Sequence, residues 1–407
     1  MSLNTLINTV QTKTNSSRSE SINFVYEVLN LLPNKFSKNT LETTFNQKEY
    51  FTVVETMQEL QLMHLEYHYE CQIKDDTYTS AAVHNICNLC KNELHDLKHE
   101  ITTLYSIKKS LHSQILEECT NLLLEKYLKS FSKLGLELLK EQRKFIIPFY
   151  GAGLSMPLGF PSWAKMLTDL EVYLEEPMRP TYDVYIKKGD YLKALEHLKY
   201  NSMLNTESII TGEIIKNFKK QTTKDPFTNP NNYLDLVKLA SEFYVTTNYD
   251  NVLTTLITKL KTFTLPYTLD DLKDIPALLR ENENRVIHLH GNIQKPETMI
   301  VTEERYEKLY KNDAILKKLA PIMASKSFLF LGFSFQDKFF KDLFQKIITD
   351  IGGTHFILLP NITLEQAQAY SSQNLQVIAV NVATDKDGYY DDEDYAQAIR
   401  SVLRVLN

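Results

Sequence analysis

The sequence predicts a two-part fold: an all-α helical domain over residues 1–140, then an α/β domain over residues 141–407 built on a parallel sheet with a helical insertion lobe. Three observations predict it. Gly135 is the first glycine and Pro33 the only proline before Pro148, so the first third lacks the residues that punctuate strands and tight turns. Apolar residues there recur at helical spacing, as in Val53, Met57, Leu60 and Tyr67 and again in Leu111, Ile115, Cys119 and Leu122. From Lys144 onward short β-prone runs alternate with helical patterns, which is the order of βαβ units.

Residues 1–20, rich in Ser, Thr and Asn, are expected to be loosely ordered. Helices are expected over residues 21–32, 47–73, 80–104 and 106–142, with Lys74-Asp75-Asp76 as a break. Such lengths suit a bundle that packs against another copy or a partner. All four cysteines, Cys71, Cys87, Cys90 and Cys119, fall in this part. Cys87-Asn88-Leu89-Cys90 has the spacing of half a zinc site, with His84 and His95 close by. Without a second pair it reads as packing on one helical face, and no metal is expected.

In the second part, strands are expected to end near Tyr150, Thr246, His290, Gly332, Leu359 and Val380. Pro148 removes a ladder donor from the first of them, so a local bulge is expected there. That strand runs into Gly151-Ala152-Gly153-Leu154-Ser155, a turn whose amides, with a helix start behind them, suit a diphosphate. Helical patterns at 191–197 and 208–218 precede the second strand and form the insertion lobe. Three later runs stop abruptly at polar residues or glycine: Val245-Thr246-Thr247-Asn248-Tyr249-Asp250, Ile287-His288-Leu289-His290-Gly291-Asn292, and Phe328 through Gly332-Phe333-Ser334. Their polar groups therefore gather at the carboxyl ends of neighbouring parallel strands, where ligands bind in open, Rossmann-like sheets.

A net charge of -6 argues against a nucleic-acid surface spread over the protein, and no nucleic-acid partner is expected. No apolar run is long enough to span a bilayer, and Asn4, Thr5, Asn8, Thr9 and Gln11 interrupt any secretory signal. A cytoplasmic protein with reduced thiols and no membrane association is the expectation.

Taken in order, the four segments resemble the signature segments of the sirtuin (SIR2) family. They are more similar still to the SIR2-like domains of bacterial antiphage defence proteins, on Thr246-Thr247-Asn248-Tyr249-Asp250, His288-Leu289-His290-Gly291, Ile300-Val301-Thr302-Glu303-Glu304-Arg305-Tyr306 and Gly332-Phe333-Ser334-Phe335-Gln336-Asp337. The resemblance spans residues 144–381 and implies NAD+ as substrate. It implies that Gly151, Ala152, Gly153 and Ser155 hold the diphosphate and adjoining ribose, with Thr247 beside them. Gly332 and Ser334 would line the adenosine half, and Asn381 would contact the adenine ribose. Asn248 would position the nicotinamide ribose and the attacking water, Asp250 would bond the carboxamide, and His290 would be the general base. These residue types suit the chemistry. Breaking the N-glycosidic bond builds an oxocarbenium-like ribose while an already charged nicotinamide leaves, so the site must supply orientation, charge stabilisation and a base near neutrality.

Two departures narrow the implied activity. Protein-deacylating sirtuins carry a zinc ribbon of two Cys-x-x-Cys pairs between the His-Gly and Gly-Ser segments, whereas here no cysteine follows Cys119. Their Gly-x-Pro-Asp-Phe-Arg phrase is replaced by Gly159-Phe160-Pro161-Ser162-Trp163-Ala164, with Ser162 suited to a helix N-cap. With no built place for a peptide, water takes the ribose, which implies a regulated NAD+ glycohydrolase acting as an abortive-infection effector. The alternatives are a non-catalytic NAD- or ADP-ribose-sensing subunit and, third, an ADP-ribosyltransferase or deacylase. Regulation implies a homo-oligomer and an activating partner protein, an ATPase or sensor from the same operon, with residues 1–140 as the oligomerisation or docking domain.

Overall fold

A computed structural model describes the chain apart from residues 1–2, 95–97, 221–222, 228, 273–282, 312–318, 323–325, 334–352, 373, 387, 389 and 407. It divides into two compact units, Met1–Lys126 and Tyr127–Asn407.

The first unit runs α1 (Leu3–Thr14), α2 (Arg18–Leu31), β1 (Lys35–Ser37), α3 (Lys38–Thr44), α4 (Lys48–Glu59), β2 (His64–Cys71), β3 (Asp76–Ser80), β4 (His99–Ser106) and α5 (Lys109–Tyr127). Two expectations are corrected here. The N-terminus is not loose: α1 buries Leu6, Ile7 and Val10 completely, and Ser17 opens α2 with a capping box to Glu20. Its polar residues occupy the outward face of an amphipathic helix. Nor is the unit all-α, because β1-β4-β2-β3 form an antiparallel sheet. The helix expected over 47–73 stops at Glu59, Gln61 takes a left-handed turn with φ 55, and the helix over 80–104 does not form. The physical reason is visible in β2. His64, Glu66, His68 and Glu70 alternate with Leu65, Tyr67, Tyr69 and Cys71, a period of two carried by β-prone aromatics.

The border also lies earlier than residue 140. Residues 127–141, including α6 (Lys133–Glu141), lie along the outermost strand of the second unit's sheet: Lys129 donates to the Ala379 carbonyl at 2.9 Å, and the Ala379 amide donates to Ser132 Oγ at 2.8 Å.

The second unit contains β5 (Ile146–Tyr150), β6 (Phe243–Thr246), β7 (Pro266–Thr268), β8 (Arg285–His288), β9 (Ser327–Leu331), β10 (His355–Pro360) and β11 (Leu375–Val380). Among the described residues they form one sheet in the order β11-β10-β9-β5-β6-β8-β7, with every pairing parallel. Strands covered on both faces need continuous apolar runs, and Phe149, Val245, Ile287, Phe328, Phe330 and Ile357 meet in the core. The six expected strand ends lie within two residues of those observed. Pro148 makes no bulge: it stays in register with Leu329 of β9, and pairing with β6 begins only at Phe149, so no ladder bond to β6 is lost.

From β5 the chain passes to β6, then to the edge strand β7, comes back to β8 between β6 and β7, and crosses to β9 on the other side of β5, from which it continues outward. The strand order reverses between β5 and β9, and ligands of open sheets bind at such a reversal. Helices α7 (Trp163–Leu170), α8 (Arg179–Lys187), α9 (Tyr191–Asn201) and α10 (Glu207–Lys220) form the insertion lobe. Its core of Leu167, Leu195, Ile210 and Ile214 also takes in Tyr249, Met299 and Tyr306, so the lobe packs onto the loops after β6 and β8.

Candidate active site

At the carboxyl end of β5 two glycine segments close on each other. Gly151 donates to the Leu331 carbonyl at 2.9 Å and Gly153 to the Gly332 carbonyl at 3.0 Å. A Cβ on Gly153 would stand 2.8 Å from that carbonyl oxygen, and one on Gly332, whose φ is +67, would stand 2.5 Å from Leu154 Cδ1. Close backbone approach, with a left-handed residue at 332, explains the glycines. It also revises the phosphate cradle. The amides of Gly151, Gly153, Leu154 and Ser155 are spent on backbone carbonyls, whereas that of Ala152 donates to no described residue. Nor does a long helix follow directly. Two three-residue 3-10 turns, Ala152–Leu154 and Met156–Leu158, intervene before α7, which Ser162 caps as expected by accepting from Lys165. Helix-dipole attraction at this turn is correspondingly small.

Below the turn lies a buried polar network. Thr246, the last residue of β6, donates through Oγ1 to the Tyr150 carbonyl at 2.9 Å and accepts from the Asn248 amide at 3.0 Å, which fixes the loop that carries Asn248. Asn248 Nδ2 donates to the Gly151 carbonyl at 3.2 Å and to Ser155 Oγ at 2.9 Å. Ser155 Oγ donates to Asp250 Oδ2 at 2.8 Å and lies 2.6 Å from the phenol of Tyr233, in α11 (Tyr233–Leu239). Asp250 Oδ1 accepts from the Val252 amide at 3.2 Å, at the start of α12 (Val252–Leu260). A hydroxyl has one proton and two lone pairs, so Ser155 gives its proton to Asp250 and receives Asn248 and Tyr233. Burial pushes the Asp250 carboxyl up, and hydrogen bonds from Ser155, Val252, Asn248 and Tyr233 oppose that shift. Burial, and then the neighbouring Asp250, push the Tyr233 phenol up as well.

The strand next to β6 contributes two histidines. His288 Nδ1 meets the Asn248 carbonyl at 2.8 Å and its Nε2 meets Asn292 Nδ2 at 3.2 Å, which ties β8 to the Asn248 loop. His290 Nδ1 lies 3.0 Å from the Tyr306 hydroxyl, in α13 (Glu303–Lys311), and its carbonyl accepts from the Ile300 amide at 2.9 Å. Gly291, the residue after His290, has φ +83, and a Cβ there would overlap the Thr298 carbonyl at 2.1 Å. Burial lowers His288 to about 4 and His290 to about 3, so both rings are neutral at neutral pH.

Gly151, Asn248, Ser155 and Asp250 are thus joined by direct bonds and Gly153 is bonded to Gly332, with Ala152 and the half-buried Thr247 in the same loops and His290 on the adjacent strand end. Ser334 lies outside the described residues. Asn381 is corrected: it is exposed, gives its amide to the Tyr127 carbonyl at 2.7 Å, and follows edge strand β11, which β10 and β9 separate from β5. Strand order is a property of the sheet, and adjacency to a strand end does not disclose it. Tyr233, Thr246, His288 and Tyr306 were missed as site residues. Tyr306 closes the quoted Ile300-to-Tyr306 phrase and Thr246 opens another, so both had a signal, whereas nothing local marks Tyr233. Trp163 stays in the lobe core, its ring 6.4 Å from Tyr191 and 5.8 Å from Tyr249.

Among the described residues, no helix is long and apolar enough to cross a membrane. A family model described as SIR2-like domain matches residues 242–378, from β6 into β11, and so contains Asn248, Asp250, His290 and Gly332 while leaving out the glycine turn at 151–155. Curated relatives named NAD(+) hydrolase ThsA are similar to about half of the chain. One from Bacillus cereus (strain MSX-D12) is 30% identical over 220 residues, 53% of this chain and 41% of that protein. Others are from Enterococcus faecium, 29% identical over 208 residues (50% and 39%), and Acinetobacter baumannii (strain 532279), 30% identical over 200 residues (48% and 38%). The chain therefore spans about two fifths of the length of the relatives it matches. Sheet order, the buried network at the strand ends and the matched residues agree: this chain carries a SIR2-like domain, with β5 and its glycine turn completing the sheet.

Proposed function

We propose that this chain is an NAD+ glycohydrolase, using water to break the bond between nicotinamide and ribose and releasing nicotinamide, ADP-ribose and a proton. The observation that carries this is the Ser155–Asn248–Asp250–Tyr233 network at the β5–β9 reversal, beside a neutral His290. The ThsA relatives, named as NAD(+) hydrolases, support it.

Each residue has a task that follows from its bonds. Asn248 Nδ2 is held by Gly151 and Ser155, which leaves Oδ1 to accept from a ribose hydroxyl or the attacking water. Asp250 holds Ser155 and the start of α12, and because each carboxylate oxygen accepts two bonds it retains capacity for the nicotinamide carboxamide. His290 acts as base, its ring oriented by the contact of Nδ1 with the Tyr306 hydroxyl at 3.0 Å. Gly151, Ala152, Gly153, Ser155, Thr247, Gly332 and Ser334 would hold the dinucleotide, Ala152 through its amide.

Incubating the full-length protein with NAD+ and measuring nicotinamide and ADP-ribose tests this. We expect release by the parent, and a loss of about 100-fold or more in Asn248→Ala and His290→Ala. Equal turnover by these variants refutes the assignment, and tight NAD+ binding without release makes the protein a sensor.

Unchecked NAD+ hydrolysis harms its host, so the activity needs a brake. On this ground we propose a cytoplasmic homo-oligomer serving antiphage defence, switched on by a partner protein such as an ATPase or sensor, with the first unit as the oligomerisation or docking part. Light scattering on the full chain, and assays with and without products of neighbouring genes, check it. A monomer that turns over NAD+ fully on its own removes the proposal.

A further inference from the structure

The first unit gathers three of the chain's four thiols and one imidazole in a place that sequence spacing alone hid. Cys71 ends β2, and the β2–β4 register sets it directly opposite His99, the first residue of β4. Cys87 and Cys90 lie in the segment between β3 and β4, where Ile86 bridges Glu93 and Leu94 donates to the Asn85 carbonyl at 3.0 Å, so the chain doubles back as a small hairpin. The Cys87 amide donates to Asn92 and the Lys91 amide to the Cys87 carbonyl, and Lys91 itself is left-handed, with φ 65. That turn points both thiols at the Cys71–His99 pair. Sγ of Cys71, Cys87 and Cys90 and a ring nitrogen of His99 all lie within 4.8 Å of one another, and His99 Nε2 is 3.1 Å from Cys90 Sγ. No disulfide is formed.

We propose that Cys71, Cys87, Cys90 and His99 form a structural zinc site that closes the end of the four-stranded sheet. Three thiolates and one imidazole in a closed set are a tetrahedral zinc donor set, and bonds of about 2.3 Å to sulfur place tetrahedral ligand atoms about 3.8 Å apart, a spacing that fits inside the 4.8 Å within which these atoms lie. The backbone supports the charge: amides of Leu89 and Cys90 point to the Cys87 sulfur, and that of Asn92 to the Cys90 sulfur.

The need for a staple is physical. Among the described residues, the hydrophobic cluster at this end has Tyr69, Cys71, Cys87 and Leu94 as its buried members, while β3 and much of β4 are exposed or half-buried. So small an apolar core cannot offset the entropy of ordering the segment between β3 and β4, and metal ligation is a common substitute. Of the two histidines flagged by spacing, His84 turns its Nε2 to Ser80 Oγ at 2.7 Å, away from the cluster, and His95 lies outside the described residues.

Elemental analysis of the full-length protein, purified without chelator or metal-affinity resin, tests the site. We expect about one zinc per chain, lost in Cys87→Ser and Cys90→Ser and kept in Cys119→Ser, since Cys119 is outside the cluster. Because the serine variants risk misfolding, His99→Cys is the second arm: it should keep the ion as a four-thiolate site. Cobalt exchanged into the parent should give the intense visible bands of tetrahedral thiolate ligation, shifted in His99→Cys. Substoichiometric zinc with no such cobalt spectrum overturns the proposal, as does a disulfide among Cys71, Cys87 and Cys90, or zinc retained in Cys90→Ser and lost in Cys119→Ser.

Discussion

Acidification should destabilise the second unit through His288 and His290, by an amount that follows from their burial. Their folded-state values are lowered to about 4 and about 3, from 6.5 for a free ring. Lowered histidine values mean that the unfolded chain binds more protons than the folded one between about pH 3 and 6.5, so stability rises with pH across that window. The contribution is full above 6.5, fades as pH falls below it, and is exhausted below the folded values. At pH 5 each unfolded ring is protonated and each folded ring is not, a cost of about 2 kcal/mol per histidine and about 4 kcal/mol together. Asp250 runs the other way: a folded carboxyl raised above 3.8 favours the folded state in acid, and that advantage is lost as pH rises. A difference between variants isolates the histidines from it. Urea unfolding followed by Trp163, the chain's single tryptophan and a resident of the same unit, is the assay, with parent, His288→Gln and His290→Gln compared at pH 8 and pH 5. Each variant should lose about 2 kcal/mol less than the parent between the two values. Parallel losses in parent and variants, or ring protons that titrate near 6.5 by NMR, refute the reasoning.

Three further outcomes follow from the site geometry. Ser155→Ala leaves the Asn248 amide and the Asp250 carboxylate each short of a buried partner, so stability should fall by about 1–3 kcal/mol per orphan, with NAD+ turnover falling alongside, as read by thermal melts and nicotinamide release. Gly332→Ala forces a left-handed alanine against Leu154, costing about 1–2 kcal/mol for the backbone before the clash, and shifting the glycine turn should raise KM for NAD+ more than it lowers kcat. Tyr306→Phe removes the hydroxyl that orients the His290 ring. Its expected signature is a lower kcat at nearly unchanged KM, with about 1 kcal/mol of stability lost.

Much of the second unit was legible because strands buried on both faces cannot hide: each needs an apolar run, and each run stops where polar loop residues begin. Those stops put Asn248, Asp250 and His290 among the polar residues at neighbouring strand ends. The first unit was misread for the complementary reason. Sparse glycine and proline suggest helix, but β2 alternates with a period of two, and antiparallel sheets with an exposed face tolerate the Glu, His and Lys that also fill helices.

Apolar runs and their termini are local properties, so sequence alone implies a parallel sheet that presents its polar strand ends together. Which ends meet is settled by the packing of the sheet. It placed β9 beside β5, pressed Gly332 against Gly153, brought Tyr233 under Ser155 and Asp250, left Asn381 at an edge, and drew Cys71 and His99 to the Cys87–Cys90 turn. Each of these is a contact between segments far apart in the chain, fixed by sheet order and register, and no window of sequence encodes it.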